Sequence, residues 1–340
     1  MTQFTLADLG WSAHFLRQID EGERPARVNA IHRDRIEALS PDGPLSLTTP
    51  EQTGSYAVGD WVTHDSGQVQ RRLDRISTIG RRAAGEVAKE QLIAANVDTL
   101  GIVTSCNADF NTARLERYLA LCTAGLAIPL IILTKADLAD DPIEYCRQAE
   151  ALSPLVTAIA LNGTDPAQVA ELERWCGPGQ TLALVGSSGV GKTTIQNILT
   201  GVEDATQSIR QADAKGRHTT TARALRRTTA GGWLIDTPGM RELRLSDAAE
   251  GIETVFSDVA ELATECKFSD CAHDREPGCA IQAAIAAGTL DRDRFARWQK
   301  LEREDRHNTE TVHEAHARFR KLGKMYAHGK ARSAAKRGER

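Results

Sequence analysis

Eight consecutive residues, Gly186-Ser187-Ser188-Gly189-Val190-Gly191-Lys192-Thr193, fit the pattern G-x-x-x-x-G-K-[ST] at every position. Glycines in such a loop let the backbone curl so that several N–H groups face phosphate oxygens. Lys192 sets a cation on the terminal phosphates, and the Thr193 hydroxyl is suited to magnesium. The helix expected next, which takes in Thr194, adds its positive N-terminal end. A bare glycine-rich turn is the alternative reading, and a strand before with a helix after argues against it. About 45 residues downstream, Asp236-Thr237-Pro238-Gly239 supplies a carboxylate that can hold magnesium through water and a glycine N–H for a γ-phosphate. Between them lies Gly216-Arg217-His218-Thr219-Thr220-Thr221. Thr219 or Thr220 is the candidate to reach magnesium when a γ-phosphate is present.

The base is chosen by Thr134-Lys135-Ala136-Asp137. A carboxylate at Asp137 accepts from guanine N1–H and from the exocyclic amine, whereas adenine offers the wrong pattern. A mismatched ligand would leave polar groups unpaired. Lys135 can lie across the base plane. Asn is commoner than Thr134 at the first position, and losing its amide predicts a looser brace for the loop. In an ordinary GTPase the phosphate loop precedes the base-reading motif. Here the base-reading motif comes first, so the chain reads as a circularly permuted GTPase. Met240 follows Gly239, where many GTPases carry a glutamine that orients the attacking water. A thioether cannot do this, so slow intrinsic hydrolysis is expected. His218 is the candidate substitute, with an ordinary loop contact as the alternative.

A second chemistry is carried by Cys266-x4-Cys271-x-His273-x5-Cys279. Three thiolates and one imidazole suit tetrahedral zinc, and four protein ligands leave no position open for water. The site therefore reads as structural. Four further cysteines, Cys106, Cys122, Cys146 and Cys176, are scattered as free thiols would be. Between Arg318 and Arg340 nine Lys or Arg stand against one acid, Glu339, although the whole chain carries a net charge of -4. Such a run is often a solvated terminus. Together with Arg71, Arg72, Arg75, Arg81 and Arg82 it could instead meet RNA phosphates.

These groups need elements to position them. Up to about residue 84 the pattern is of short strands, Ala26–Ile31, Arg35–Leu39 and Gly59–Thr63, broken by turns such as Ser40-Pro41-Asp42-Gly43-Pro44; this predicts a small barrel. From 85 to 246, apolar strands Thr99–Thr104, Pro129–Leu133, Val156–Ala160, Thr181–Val185 and Trp233–Ile235 alternate with helices such as Asn111–Ala124. That alternation predicts a doubly wound, mostly parallel sheet, whose ligands bind at the carboxyl ends of its strands. Residues 247–340 hold the Cys/His cluster and then charged helical sequence. A barrel, a zinc unit and basic segments around a nucleotide switch favour RNA binding. No apolar run approaches bilayer length, and Met1–Asp20 lacks the pattern of a signal peptide. A cytoplasmic protein with no membrane partner is expected.

The chain resembles the small-ribosomal-subunit-dependent GTPases of the RsgA (YjeQ) type. The likeness runs through Leu9-Gly10-Trp11, Gly59-Asp60-Trp61-Val62, Ala95-Asn96-Val97-Asp98, Arg117-Tyr118-Leu119, the permuted motif order, Gly216–Thr221 and the Cys/His spacing. The resemblance implies an OB-fold domain over 1–84, a circularly permuted P-loop GTPase domain over 85–246 and an α-helical zinc domain over 247–340. It also implies GTP and GDP as ligands, magnesium bound with GTP, and one structural zinc. Its implied partners are the 30S subunit late in maturation and its 16S rRNA, met by a monomer, with the subunit stimulating hydrolysis. The sequence departs from the family pattern in three places. Thr134 replaces Asn. Thr193-Thr194-Ile195-Gln196-Asn197 replaces a more usual Ser-Ser-Leu-Leu-Asn. The Ser-Ala that backs the guanine is absent, with Ala160-Leu161 or Asn162-Gly163 in its place. An RNA-binding assembly scaffold that binds guanine nucleotide but hydrolyses it very slowly is the alternative. An ATPase acting on a small molecule is disfavoured by Asp137. The permutation brings Gly239 within about thirty residues of Cys266, so it could wire a γ-phosphate sensor to the zinc unit.

Overall fold

The computed structural model describes residues 4–82, 90–202, 224–235 and 248–309. After a one-turn helix, α1 (Ala13–Leu16), five strands follow: β1 (Arg24–Ile31), β2 (Ile36–Ser40), β3 (Gly43–Leu47), β4 (Trp61–Asp65) and β5 (Gln68–Arg72). They form an antiparallel sheet in the order β3-β2-β1-β4-β5. A parallel bridge from Thr48 to Gln68 joins the end of β3 to β5. The ring therefore closes as β1-β2-β3-β5-β4, a five-stranded barrel of the OB type. Alternation drives it: β2 reads buried–half–buried–half–buried, and Ala26, Val28, Ile36, Ala38, Val62 and Val69 fill the interior. Strand bounds differ from the sequence expectation by one to a few residues. The Ser40–Pro44 turn is shorter than expected, because Gly43 and Pro44 already pair in edge strand β3.

A two-stranded ribbon, β6 (Thr78–Arg82) and β7 (Glu90–Ala95), leads into the central sheet. Its strands are β8 (Thr99–Ser105), β9 (Ile128–Thr134), β10 (Thr157–Ala160), β11 (Thr181–Gly186), β12 (Leu225–Arg227) and β13 (Trp233–Ile235), ordered β10-β9-β8-β11-β13-β12. All pairs are parallel except β12 with β13. Every residue of β8 and β11 is buried, as strands covered on both faces should be. Along β9, Leu130 and Ile132 join one core while Ile131 and Leu133 join the other.

Helices α2 (Thr112–Ala124), α3 (Pro142–Glu150), α4 (Pro166–Val169) and α5 (Lys192–Thr200) connect these strands. Their starts are legible: Asn111, Asp141 and Asp165 each accept a backbone N–H at the N-cap, and prolines open α3 and α4. The chain then continues through α6 (Ala249–Val255), α7 (Ser257–Thr264), α8 (Ala280–Ala287) and α9 (Arg292–Thr309). Helix α6 lies directly on α2. A Cβ at Gly251 would fall 2.0 Å from the carbonyl oxygen of Ala120, so only glycine permits this approach. A buried ion cluster fastens α9 to the same helix: Glu116, fully buried, accepts from Arg294 at 3.2 Å and Arg297 at 2.7 Å. Among the described residues no helix is long and apolar enough to cross a membrane.

Candidate nucleotide and metal sites

The phosphate-loop pattern begins at the last residue of β11 and curls into α5. Gly186 has φ +139°, and a Cβ there would sit 2.1 Å from the carbonyl oxygen of Val103 on neighbouring β8. Glycine is therefore obligatory where the loop leaves the sheet. Gly191, at φ +99°, opens α5 with no side-chain cap. That leaves the positive end of the helix for an anion. Lys192 Nζ donates to the carbonyls of Gly186 and Ser187, so its ammonium lies across the loop. Thr193, Ser188 and Gly189 are exposed, Ser187 and Thr194 are half-buried, and Val190 is buried beneath them. Gln196, on the helix behind the loop, is buried.

Thr134 ends β9 and is 2% exposed. Its hydroxyl lies 2.7 Å from the carbonyl oxygen of Val190 and 3.0 Å from that of Thr104, with one hydrogen to share between them. The hydroxyl that Thr134 keeps thus ties the base-reading segment to the phosphate loop. Lys135 adopts a left-handed conformation, φ 58°, and starts a short 3-10 turn over Ala136–Leu138. Asp137 on that turn is exposed. The Ala136 N–H donates to the carbonyl of Leu161. The adjoining turn is held by Asn162, whose Oδ1 accepts from the Thr164 N–H and hydroxyl. Ala160–Gly163, the candidate backing for a base, therefore borders Thr134–Asp137.

The two motifs thus converge at the carboxyl ends of β9 and β11. Strand β8 lies between those strands, and the chain reverses its direction across the sheet at the β8/β11 boundary, where ligands of such sheets bind. Thr219, Thr220, His218, Asp236, Gly239 and Met240 lie outside the described residues, as does the basic run Arg318–Arg340.

Cys266, Cys271, His273 and Cys279 present ligand atoms all within 4.8 Å of one another, a group that could hold a metal ion. Cys266 Sγ lies 3.5 Å from His273 Nδ1 and 3.9 Å from Cys279 Sγ, and Cys279 Sγ lies 3.6 Å from the same nitrogen. Cys279 is the N-cap of α8. Burial opposes ionisation of Cys266, but the Ala280 and Ile281 N–H groups at the start of α8 bring its thiol below the ordinary value. Burial also lowers the pKa of His273, favouring the neutral ring that binds metal. Burial pushes Cys271 up to about 11, and its neighbouring thiols add to this. The imidazole packs 6.3 Å from the Phe295 ring and 6.0 Å from the Trp298 ring on α9.

Some features escaped the sequence reading. Arg27, 1% exposed in β1, donates to Leu9, Asn96 and Thr181 and so joins the barrel to the base of the phosphate-loop strand. A charged residue between apolar Ala26 and Val28 was the only signal, and its partner Thr181 is 154 positions away. The arginines at the barrel's end have partners within it. Arg71 pairs with Glu23, Arg75 pairs with buried Asp60, and Arg72 donates to the Ser55 carbonyl. Arg71 and Arg72 nonetheless keep part of their surface in solvent, and the side chains of Arg81 and Arg82 lie outside the described residues.

A family model described as RsgA GTPase matches residues 72–246. The small ribosomal subunit biogenesis GTPase RsgA of Mesorhizobium japonicum is 54% identical over 316 residues, covering 90% of this chain and 91% of that protein. RsgA 2 of Vibrio vulnificus is 44% identical over 331 residues, covering 96% and 95%. Among solved structures, YjeQ from Thermotoga maritima is similar with a TM-score of 0.61 at 22% identity, covering 82% of this chain and 97% of that one. YloQ, described as a circularly permuted GTPase, is similar with a TM-score of 0.58 at 21% identity, covering 86% and 98%. Both structural likenesses are likenesses of fold.

Proposed function

The chain belongs to the RsgA GTPase family, and from that premise we propose that it binds the 30S ribosomal subunit late in its maturation and hydrolyses GTP to GDP and phosphate there, stimulated by the subunit. The observation that carries this reading is the convergence of the phosphate loop and the base-reading segment, joined by the Thr134 hydroxyl on the Val190 carbonyl. In this reading Gly186–Gly191 cradle the β- and γ-phosphates with backbone N–H groups, and Lys192 neutralises their charge. Asp137 pairs with the guanine edge, Lys135 covers the ring, and Ala136 positions the turn. Magnesium bound with GTP would supply charge neutralisation on the phosphate oxygens, with Thr193 and Asp236 as its protein contacts. Thr219 or Thr220 and the Gly239 N–H would sense the γ-phosphate. His218 is the residue we favour for orienting water, since Met240 cannot.

The metal we assign to the Cys/His cluster is one structural zinc. A tetrahedron with sulfur at about 2.3 Å and nitrogen at about 2.0 Å separates its ligands by about 3.5 to 3.8 Å. The three separations among Cys266, His273 and Cys279 run from 3.5 to 3.9 Å, and with Cys271 all four ligand atoms lie within 4.8 Å of one another. We assign residues 1–84 to an OB-fold RNA-binding domain, 85–246 to the GTPase domain and 247–340 to a zinc domain with a basic tail. The protein acts as a cytoplasmic monomer on 16S rRNA. Met240 also supports a second reading, in which the chain is an assembly scaffold that turns over nucleotide very slowly. Equilibrium binding tests the nucleotide assignment: GDP should bind on the order of 100-fold or more tightly than ADP. Equal affinities would overturn it.

A further inference from the structure

A cavity of about 320 Å³ opens at the amino end of the central sheet, between the segment before β1, the barrel and the turn that enters β11. Strand β11 runs from Thr181 in its wall to Gly186 at the phosphate loop. At about 3.3 Å per residue, the cavity lies roughly 17 Å from that loop. Three segments are knitted together beside it. The Ile76 N–H donates to Asn96 Oδ1, the Asn96 N–H to the Ser77 carbonyl, the Thr78 N–H to the Gly125 carbonyl and the Ile128 N–H to the Asp98 carbonyl. These bonds gather Ile76, Leu126, Ile128 and Asp98 at one end of the sheet.

Ile76, Leu126 and Ile128 are 43%, 73% and 61% exposed. A single exposed apolar side chain is ordinary, but three on bonded neighbours make a patch. Leu126 is also held in a conformation that leucine disfavours. Helix α2 ends in a Schellman turn, with the Ala127 N–H on the Cys122 carbonyl and the Leu126 N–H on the Thr123 carbonyl. The residue at the Leu126 position of such a turn is left-handed and is ordinarily glycine. Leu126 adopts that conformation at φ 59°. The glycine stands one residue earlier, where a Cβ at Gly125 would meet the Thr78 carbonyl oxygen at 2.4 Å. Packing therefore requires Gly125. It does not require a leucine at 126, whose side chain belongs to no core cluster among the described residues. Strain kept on an exposed apolar side chain points to a contact outside the chain.

The charge of the cavity selects the partner. Its lining holds two charged residues, Arg27 and Asp98. Arg27 is buried, with its Nη atoms on the Leu9, Asn96 and Thr181 oxygens. Asp98 is exposed. It accepts the Thr181 N–H at 2.7 Å and forms no ion pair among the described residues. The charge this lining shows to solvent is therefore negative. A nucleic-acid backbone would meet it with like charge and no exposed cation to offset it. A lysine or arginine would find an open carboxylate beside an apolar wall that its stem could cover.

We propose that this face docks a protein segment of the 30S subunit that carries a basic residue beside apolar ones, with the cation on Asp98 and the apolar side chains on Ile76, Leu126 and Ile128. The proposal rests on the small-subunit reading given above. It places a protein contact at the end of the sheet far from the nucleotide, where the half-buried Trp11 ring adds to the apolar wall.

The test measures binding of the full chain, saturated with a GTP analogue, to purified 30S subunits and to naked 16S rRNA. Leu126→Gly removes the exposed leucine and relieves the left-handed strain. Its melting temperature should match or exceed that of the wild type, which separates a lost contact from a lost fold. Its affinity for the subunit should nevertheless fall about tenfold, while any affinity for naked 16S rRNA changes less than about twofold. Benzoylphenylalanine in place of Ile76 should crosslink to a Lys/Arg-rich segment of a subunit protein. Wild-type binding to the subunit with Leu126→Gly equally tight would overturn this proposal alone. So would an equal loss on naked 16S rRNA, or a crosslink to rRNA or to a second copy of the chain. No binding by the wild type would sink the subunit reading, and this proposal with it.

Discussion

The phosphate loop and the metal cluster are both tight backbone constructions, but their shapes have different sources. The loop is shaped by the sheet beneath it. Gly186 departs against the Val103 carbonyl, Val190 is 2% exposed, and buried Thr134 fastens the far side. The metal cluster has no sheet beneath it. Cys266, Cys271 and His273 are only half-buried, and His273 holds a left-handed conformation without being glycine, φ 59°. Local bonds help: Glu276 accepts the N–H groups of Ala272, Asp274 and Arg275, and Gln282 donates to the His273 carbonyl. None of these replaces the attraction that would hold three ionised sulfurs together. One site is preorganised by packing, and the other, on the zinc assignment, would depend on its ion.

The largest effect should follow from removing that ion. Structural zinc contributes on the order of 10 kcal/mol to units of this kind. Chelation, or Cys279→Ser, should therefore expose amides of Ser257–Ala287 to hydrogen exchange while GDP affinity changes less than about threefold. An equal loss of GDP affinity would erase the contrast. Gly186→Ala should come next, costing about 3 kcal/mol or more through the 2.1 Å collision with Val103 and the strained φ. It should abolish nucleotide binding and leave metal content at one equivalent by elemental analysis.

Glu116 links α2 to α9, because it faces both Arg294 and Arg297 across their contact. Glu116→Ala leaves Arg297 without this partner, while Arg294 keeps Asp258 at 2.7 Å, and should cost about 2 kcal/mol in denaturant unfolding. A loss below about 1 kcal/mol would mean that apolar packing at Gly251 suffices to hold α6–α9. The smallest effect is expected from Thr134→Val, which leaves the Val190 carbonyl short of its 2.7 Å donor. The cost should be about 1 to 2 kcal/mol, seen as roughly a tenfold loss in GDP affinity, with the metal unaffected. Unchanged affinity would show that the brace is incidental.

What could be read in advance follows sequence distance. The phosphate loop, the base-reading segment and the four metal ligands are local patterns, and the structure brings each group together. Strands β8, β9 and β11 were legible because strands buried on both faces are continuous apolar runs. The barrel strands were less sharp, since short alternating runs leave their ends to pairing with neighbours. Arg27, Glu116 and the Thr134 hydroxyl were missed because their partners lie 154, 178 and 56 positions away. Nothing in a run of residues signals a bond of that span. The arginines near residue 71 show the same limit, because a basic cluster in the sequence does not reveal that Glu23 and Asp60 face it.

The most direct measurement of the whole account is nucleotide turnover by the full chain with magnesium, with and without purified 30S subunits. The account predicts slow GTP hydrolysis alone, a rise of at least tenfold with subunits, and no comparable ATP hydrolysis. Equal rates with GTP and ATP, or GTP turnover indifferent to the subunit, would contradict it.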